Sequence, residues 1–253
     1  SDVNLLGDKL SKKINLHSLK SKRISGNFQK IFYFLRNHSF DIVFVNVWPL
    51  TSLTATAALF LKTKIIPIEH GILSKEFKHQ GKIFCWLQNL SIFLTYNFFS
   101  NHVITVSNAA KEDLQRKGVF NKKITVIYNS FETYIDTKPR LDFQEWVDFG
   151  GARIITIANL KSEKNLFNLL NAFKLMSLRH DPCPKLLIIG SGPQEKELKQ
   201  LSKDLEIDQN IIFTGLITNP YPYLNEADLF VLSSDFESFG IVILEAMSLG
   251  KTI

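Results

Sequence analysis

Short runs rich in Val and Ile alternate along this chain with longer amphipathic stretches, and that alternation restricts the fold more than any other feature. Apolar runs of this length bounded by turn residues read as strands buried on both faces. Helical periodicity between consecutive runs supplies the crossover that parallel neighbours need. In the first half the strand candidates are residues 41–46, 64–69, 102–107 and 124–128, with a short one expected around 14–19. Helical patterns fall at 27–37, 51–61, 82–99 and 109–117, the last with Ala110 and Leu114 on one face and Gly118 as its stop.

The rhythm breaks between Glu132 and Gly151, where Pro139, mixed charges and the Gly150-Gly151 pair read as a connection between domains. It restarts with strands at 153–158, 185–189, 210–213 and 228–232, and helices at 165–178, 194–205, near 221–225 and at 240–249. The expectation is an α/β chain of two Rossmann-like parallel-sheet domains, residues 1–132 and 152–253, joined by a linker at 133–151. A further strand begins to read at 251–253. A sheet ending there would leave an unpaired edge, so the chain is expected to be a fragment.

With 45% hydrophobic and 21% charged residues the chain can build packed cores, which argues against disorder. Its two cysteines, Cys85 and Cys183, cannot make a disulfide framework and read as free thiols in a reducing cytosol. The net charge of +6 is concentrated in Lys9, Lys12, Lys13, Lys20, Lys22, Arg23, Lys30 and Arg36. That cluster reads as a solvated face or, alternatively, as attraction to an anionic membrane at its cytoplasmic side. Nucleic acid is not expected as a partner, because no aromatic residues interleave with the basic ones as a stacking platform. The most apolar stretch, 83–99, is interrupted by Gln88, Asn89, Ser91, Thr95 and Asn97 and is marginal in length for a bilayer span. It is expected to be a core helix, with interfacial membrane contact as the alternative.

In parallel sheets, ligands bind beyond the carboxyl ends of the strands, so the segments that follow each strand are where chemistry is sought. Gly190-Ser191-Gly192-Pro193 follows one strand and opens a helix. It suits either a tight turn or a phosphate at the helix start. Without a third glycine it is not a dinucleotide fingerprint. After 228–232 comes Ser233-Ser234-Asp235-Phe236-Glu237-Ser238-Phe239-Gly240, with Glu245 inside the helix beyond. The amides of Phe239 and Gly240 belong to a helix start and suit a pyrophosphate. A carboxylate suits a vicinal diol, so Glu245 is assigned a ribose and Glu237 a sugar. Two acids beside phosphates call for a cation, and Lys164, one short loop after 153–158, is the candidate. No Asp-x-Asp pair marks a divalent metal, so none is expected, nor any other cofactor.

Taken in order, these residues resemble the large group of retaining glycosyltransferases with the GT-B fold, also called the group-1 or E-x7-E enzymes. Ile68-Glu69-His70-Gly71, Val106-Ser107, Val126 to Glu132, and Ile157-Ala158-Asn159-Leu160 followed by Lys164-Asn165 each match a family segment. So do Gly190 to Pro193, Phe213-Thr214-Gly215, and Glu237-Ser238-Phe239-Gly240 with Glu245 eight residues on. The resemblance implies two domains facing a cleft, with a nucleotide-sugar donor held mostly by the second. Carried over by position, Glu237, Ser238, Phe239, Gly240 and Lys164 would meet the sugar and diphosphate. Glu245 would meet the ribose, Gly215 the base, Gly190 and Gly192 the donor, and His70 the sugar at the reaction centre. It implies transfer to a glycan or lipid-linked acceptor with retained configuration, the departing phosphate assisting, in bacterial envelope polysaccharide synthesis. Asn159 stands where the family has arginine, which removes one charge, and Ser130 stands in place of a turn glycine. The resemblance also implies an earlier first strand and roughly a hundred further residues at the C-terminal side, by usual domain sizes. A non-catalytic relative of the fold, and an epimerase or phosphorylase acting on sugar phosphates, are the alternatives.

Overall fold

Within both sheets of the computed structural model every strand runs parallel to its neighbours. The structure describes residues 14–15, 17–18, 27–46, 48–76, 81–130 and 141–253. Two units divide between Ile127 and Tyr128, and each is taken by itself.

The first unit runs α1 (Phe28–His38), β1 (Ile42–Val45), α2 (Leu50–Ala57), β2 (Lys64–Glu69), α3 (Leu73–Glu76) and α4 (Lys82–Leu94). A π-type turn (Thr95–Phe99), β3 (Val103–Thr105), α5 (Asn108–Arg116) and β4 (Ile124–Val126) follow. Its strands lie in chain order, β1-β2-β3-β4, as successive crossovers of one hand produce. Ile31, Leu35, Val45, Ala55 and Ile65 pack α1 and α2 against the β1–β2 side. Ile92, Tyr96, Val103, Leu114 and Ile124 form a second cluster under α4 and α5. Ser107 caps α5 by accepting from the Ala110 amide at 3.2 Å, which is a structural reason for a serine at the end of that strand.

The second unit runs α6 (Gln144–Val147), β5 (Arg153–Ile157), α7 (Leu166–Ser177), β6 (Lys185–Ile189) and α8 (Glu195–Asp204). It continues with β7 (Ile211–Gly215), α9 (Tyr221–Glu226), β8 (Leu229–Phe230) and α10 (Ile241–Ser248). Alternate side chains of its strands point to opposite faces. Ile154, Leu186 and Ile188 therefore meet Leu166, Leu170 and Phe173 of α7 and Leu198 of α8. Ile155, Leu187, Ile189 and Phe230 meet Trp146 of α6, Tyr223 and Leu224 of α9 and Ala246 of α10. The strand order is β7-β6-β5-β8, so the direction of winding reverses beside β5.

The α/β architecture with two parallel sheets is the one the alternation predicts, and the differences are local. The expected 133–151 linker is too long at its C-terminal end. Trp146, fully buried, makes α6 part of the second core, while 133–140 lies outside the described residues. The compact units divide between Ile127 and Tyr128, while the expected end of the first domain, Glu132, lies outside the described residues. Positions 14, 15, 17 and 18 lie in no strand, and residues 16 and 19 of that expected element are outside the description, as are Lys9, Lys12, Lys13, Lys20, Lys22 and Arg23. The 82–99 segment is a core helix on one side only: Gln88, Ile92 and Tyr96 are buried, whereas Ile83, Phe84, Trp86, Leu87, Leu90, Leu94 and Phe98 are exposed. Thr252 makes a parallel bridge with Leu229, its carbonyl accepting from the Phe230 amide at 2.9 Å, so pairing does begin at the predicted place.

At the opposite end of β5 from the site below, Arg153 ties three elements together. Its side chain reaches Asp228 at 3.3 Å, Glu226 at 3.4 Å and the Val147 carbonyl at 3.0 Å. Burial alone would raise the Asp228 carboxyl pKa, but hydrogen bonds and charge from Arg153 outweigh it and hold the group below its ordinary 3.8. A carboxyl depressed on folding contributes stability above its unfolded pKa and loses it as pH falls through the folded one. Asp228→Asn should therefore melt below the parent protein at neutral pH. The gap should close as the pH drops under 3.8, read from thermal denaturation across a pH series.

Candidate active site

Ligands of parallel α/β sheets sit where the winding reverses, outside the carboxyl ends of the strands. In the second unit that place is the β5–β8 junction. The loop after β5 makes a 3-10 turn at Ser162–Lys164, then enters α7 through Asn165 at φ 48. Asparagine tolerates that left-handed backbone better than most residues.

The loops after β5 and β8 are laced together. Ser233 Oγ donates to the Lys164 carbonyl at 2.8 Å, and the Asp235 amide to the Glu163 carbonyl at 2.9 Å. Asn165 Nδ2 donates to Asp235 Oδ1 at 2.7 Å. Above this lacing, Lys164 Nζ meets Glu237 Oε1 at 2.5 Å, with the two side chains only 20% and 24% exposed. Ser234 Oγ donates to the same oxygen at 2.8 Å. A half-buried pair of this kind is costly to break by removing one partner, since the charge left behind has lost its solvent.

Glu245 sits one turn into α10, and the Tyr221 phenol donates to its Oε1 at 2.9 Å. Tyr221 is the first residue of α9, so its ring comes from the loop beyond β7. Phe239 is half-buried with its ring stacked on Tyr128, centroids 6.0 Å apart. Gly240, at φ 71, turns the chain into α10, where its carbonyl accepts from Ile243 at 2.9 Å. Ser238 lies half-buried between them, and Asn159 is exposed.

Gly190 and Gly192 have a structural task independent of any ligand. A Cβ on Gly190 would lie 2.0 Å from the Ala158 carbonyl oxygen, and one on Gly192 2.5 Å from that of Leu160. Close approach lets the two loops exchange backbone bonds: Ala158 to Ile189, Leu160 to Ser191 and Gln194 to Leu160, at 3.0 to 3.1 Å. The Gly190 amide also donates to the Gly215 carbonyl at 2.9 Å, at an irregularity in the β6–β7 register. Gly215, at φ 70, has nothing within 4 Å of where a Cβ would stand.

His70 belongs to the first unit, exposed at the carboxyl end of β2. Glu69 before it is buried, and its carboxylate accepts a hydrogen bond from the Tyr96 phenol. Burial first, then the neighbouring Glu69 charge, pushes the Tyr96 pKa well above 10.0, so the phenol remains a donor.

Lys164 and Glu237, singled out separately in the sequence, are thus in direct contact, with Glu245 on the following helix. Sequence reasoning gave no role to Tyr221, Ser233, Ser234 or Asp235. A tyrosine opening the helix after Phe213-Thr214-Gly215 was the available signal for the first. A cation, two carboxylates and several hydroxyls at one sheet edge suit a ligand that carries both anionic and polyhydroxyl groups.

Two family models match the chain. "Glycosyltransferase Family 4" covers residues 7–133 and "Glycosyl transferases group 1" covers residues 139–253. N-acetyl-alpha-D-glucosaminyl L-malate synthase of Bacillus anthracis is 30% identical over 154 residues, which is 60% of this chain and 40% of that protein. CapH of Staphylococcus aureus, a capsular polysaccharide biosynthesis glycosyltransferase, is 24% identical over 92% of this chain and 64% of its own length. Among solved structures, HepE of Anabaena in complex with UDP-glucose matches with a TM-score of 0.74 at 23% identity, covering 88% of this chain and 61% of that one. At that identity the likeness shows the fold alone.

If Gly190 serves loop packing, Gly190→Ala should destabilise the protein by about 1–3 kcal/mol whether or not a ligand is present. Chemical denaturation measures this, and unchanged stability would show that the glycine is there for something else.

Proposed function

This chain belongs to the glycosyltransferases of group 1 and family 4, and on that premise we propose that the whole protein moves a sugar from a nucleoside diphosphate donor to a glycan or lipid-linked acceptor, with retained configuration. The observation that carries the reading is the Lys164–Glu237 contact at the winding reversal, with Glu245 held by Tyr221 on the next helix. A diphosphate arriving at that edge competes with Glu237 for the lysine. Once Lys164 turns to phosphate, the Glu237 carboxylate is released toward sugar hydroxyls while Ser234 keeps its orientation. Glu245 takes the ribose diol.

In the transfer itself, the bond between the anomeric carbon and the diphosphate oxygen breaks. The acceptor oxygen bonds to the same face, and its proton passes to the departing phosphate oxygen. Lys164 offsets the charge that grows on that phosphate, so the reading needs no divalent metal. The HepE complex names UDP-glucose and CapH names capsular polysaccharide, which together support a nucleoside diphosphate hexose and an envelope glycan acceptor. Free cysteines fit a protein working on the cytoplasmic side, where such donors would be met. The assignment of His70 to the sugar rests on its motif.

Isothermal titration of UDP- and GDP-sugars against the full-length protein should show binding of one class that survives a chelator. Absence of binding by every donor would sink the proposal. Glu245→Ala should weaken nucleotide binding itself. Tyr221→Phe should do so by only a few-fold, since it removes one hydrogen bond of about 1 kcal/mol. Glu237→Ala should instead lower kcat by roughly a hundredfold or more with UDP or GDP affinity retained. Equal effects of the two glutamate variants on both quantities would overturn the division of roles.

A further inference from the structure

Between Glu76 and Glu112 the sequence holds no acidic residue, and α4 lies within that stretch. Its surface is apolar. Ile83 is 79% exposed, Trp86 63% and Leu87 52%, and Phe84, Leu90 and Leu94 are exposed as well. The 83-87-90-94 spacing draws these side chains into one stripe, while Gln88 and Ile92 turn to the core. Phe98 extends it past the helix end and meets the exposed Phe120 edge-on at 6.3 Å. Cations flank the stripe: Lys82 opens the helix, and Lys117 Nζ bonds Asn89 Oδ1 at 2.9 Å.

We propose that α4 docks the protein on an anionic bilayer surface, the Ile83–Leu94 stripe entering the acyl boundary with Trp86 and Phe84 at the headgroup level and Lys82 and Lys117 among the phosphates. Aromatic and basic side chains around a helical apolar face are the composition such an interface selects. A second copy of this chain is the poorer occupant. A two-fold contact would set the same lysines near their own copies, with no acid in this stretch to neutralise them. The proposal rests on this surface alone and not on the donor reading.

The test is flotation of the full-length protein, without donor, on vesicles of phosphatidylcholine or of equal parts phosphatidylcholine and phosphatidylglycerol. Binding to the anionic vesicles is expected, with a blue shift of tryptophan emission that Trp86→Phe removes, since Trp146 is already fully buried and Trp48 partly so. The Leu87→Glu/Leu90→Glu double variant, checked by circular dichroism, should lose roughly tenfold or more in vesicle affinity. UDP- and GDP-sugar titration of that variant should match the parent, which separates failure here from failure of the donor reading. Absence of vesicle binding, equal binding to neutral vesicles, or an unchanged double variant would each overturn the proposal. So would a wild-type dimer that the same variant dissociates.

Discussion

The donor site proposed for this protein depends on β8 pairing with β5 on the flank opposite β6. Only Leu229 and Phe230 make that ladder, yet it brings the loops after the two strands side by side. Three hydrogen bonds then lock loop to loop, and the lock carries Lys164 to Glu237. A lysine and a glutamate from positions 73 apart have no local reason to meet. The contact is a product of topology: strand order places them, and the backbone of the turn at Asn165 aims the lysine. Because the pair is largely shielded from water, neither charge is free of the other until a stronger or better-placed partner arrives.

Much of this was legible in the residues. Val- and Ile-rich runs announce parallel strands because such strands are covered on both faces, and all eight strands among the described residues fall within predicted runs or no more than two residues outside them. β8 is the shortest of them, since only Leu229 and Phe230 of the predicted 228–232 run keep the ladder before the chain turns into the site loop. Less legible was the boundary between the units. Trp146 sits beside Gly150-Gly151 and among charges, and only the packed structure reveals that its indole completes a core. The site followed the same division. Acids beside a helix start point to chemistry through residue type, but Tyr221 is silent until tertiary contact brings its phenol to Glu245.

α4 teaches a related lesson in the first unit. Its sequence is largely apolar despite Gln88, Asn89 and Ser91, and composition alone favours burial. Packing accepts one side only: Gln88 and Ile92 are covered, and the Ser52–Ser91 and Ser52–Thr95 bonds fasten the helix to α2. Small polar groups therefore hold the inner side while large apolar ones face outward, an inversion of the usual globular pattern. The buried Glu69, held by Tyr96 from the turn after α4, ties that helix to the strand that ends just before His70.

The phenol of Tyr221 has a consequence for how tightly a ligand can be held. A glutamate on an open helix surface samples several rotamers, and ordering such a side chain on binding costs roughly 0.5–1.5 kcal/mol. Here one carboxylate oxygen is already fixed at 2.9 Å from a side chain on another helix, before any ligand arrives. That ordering entropy belongs to folding rather than to association, so whatever Glu245 grips is met by a group already in position.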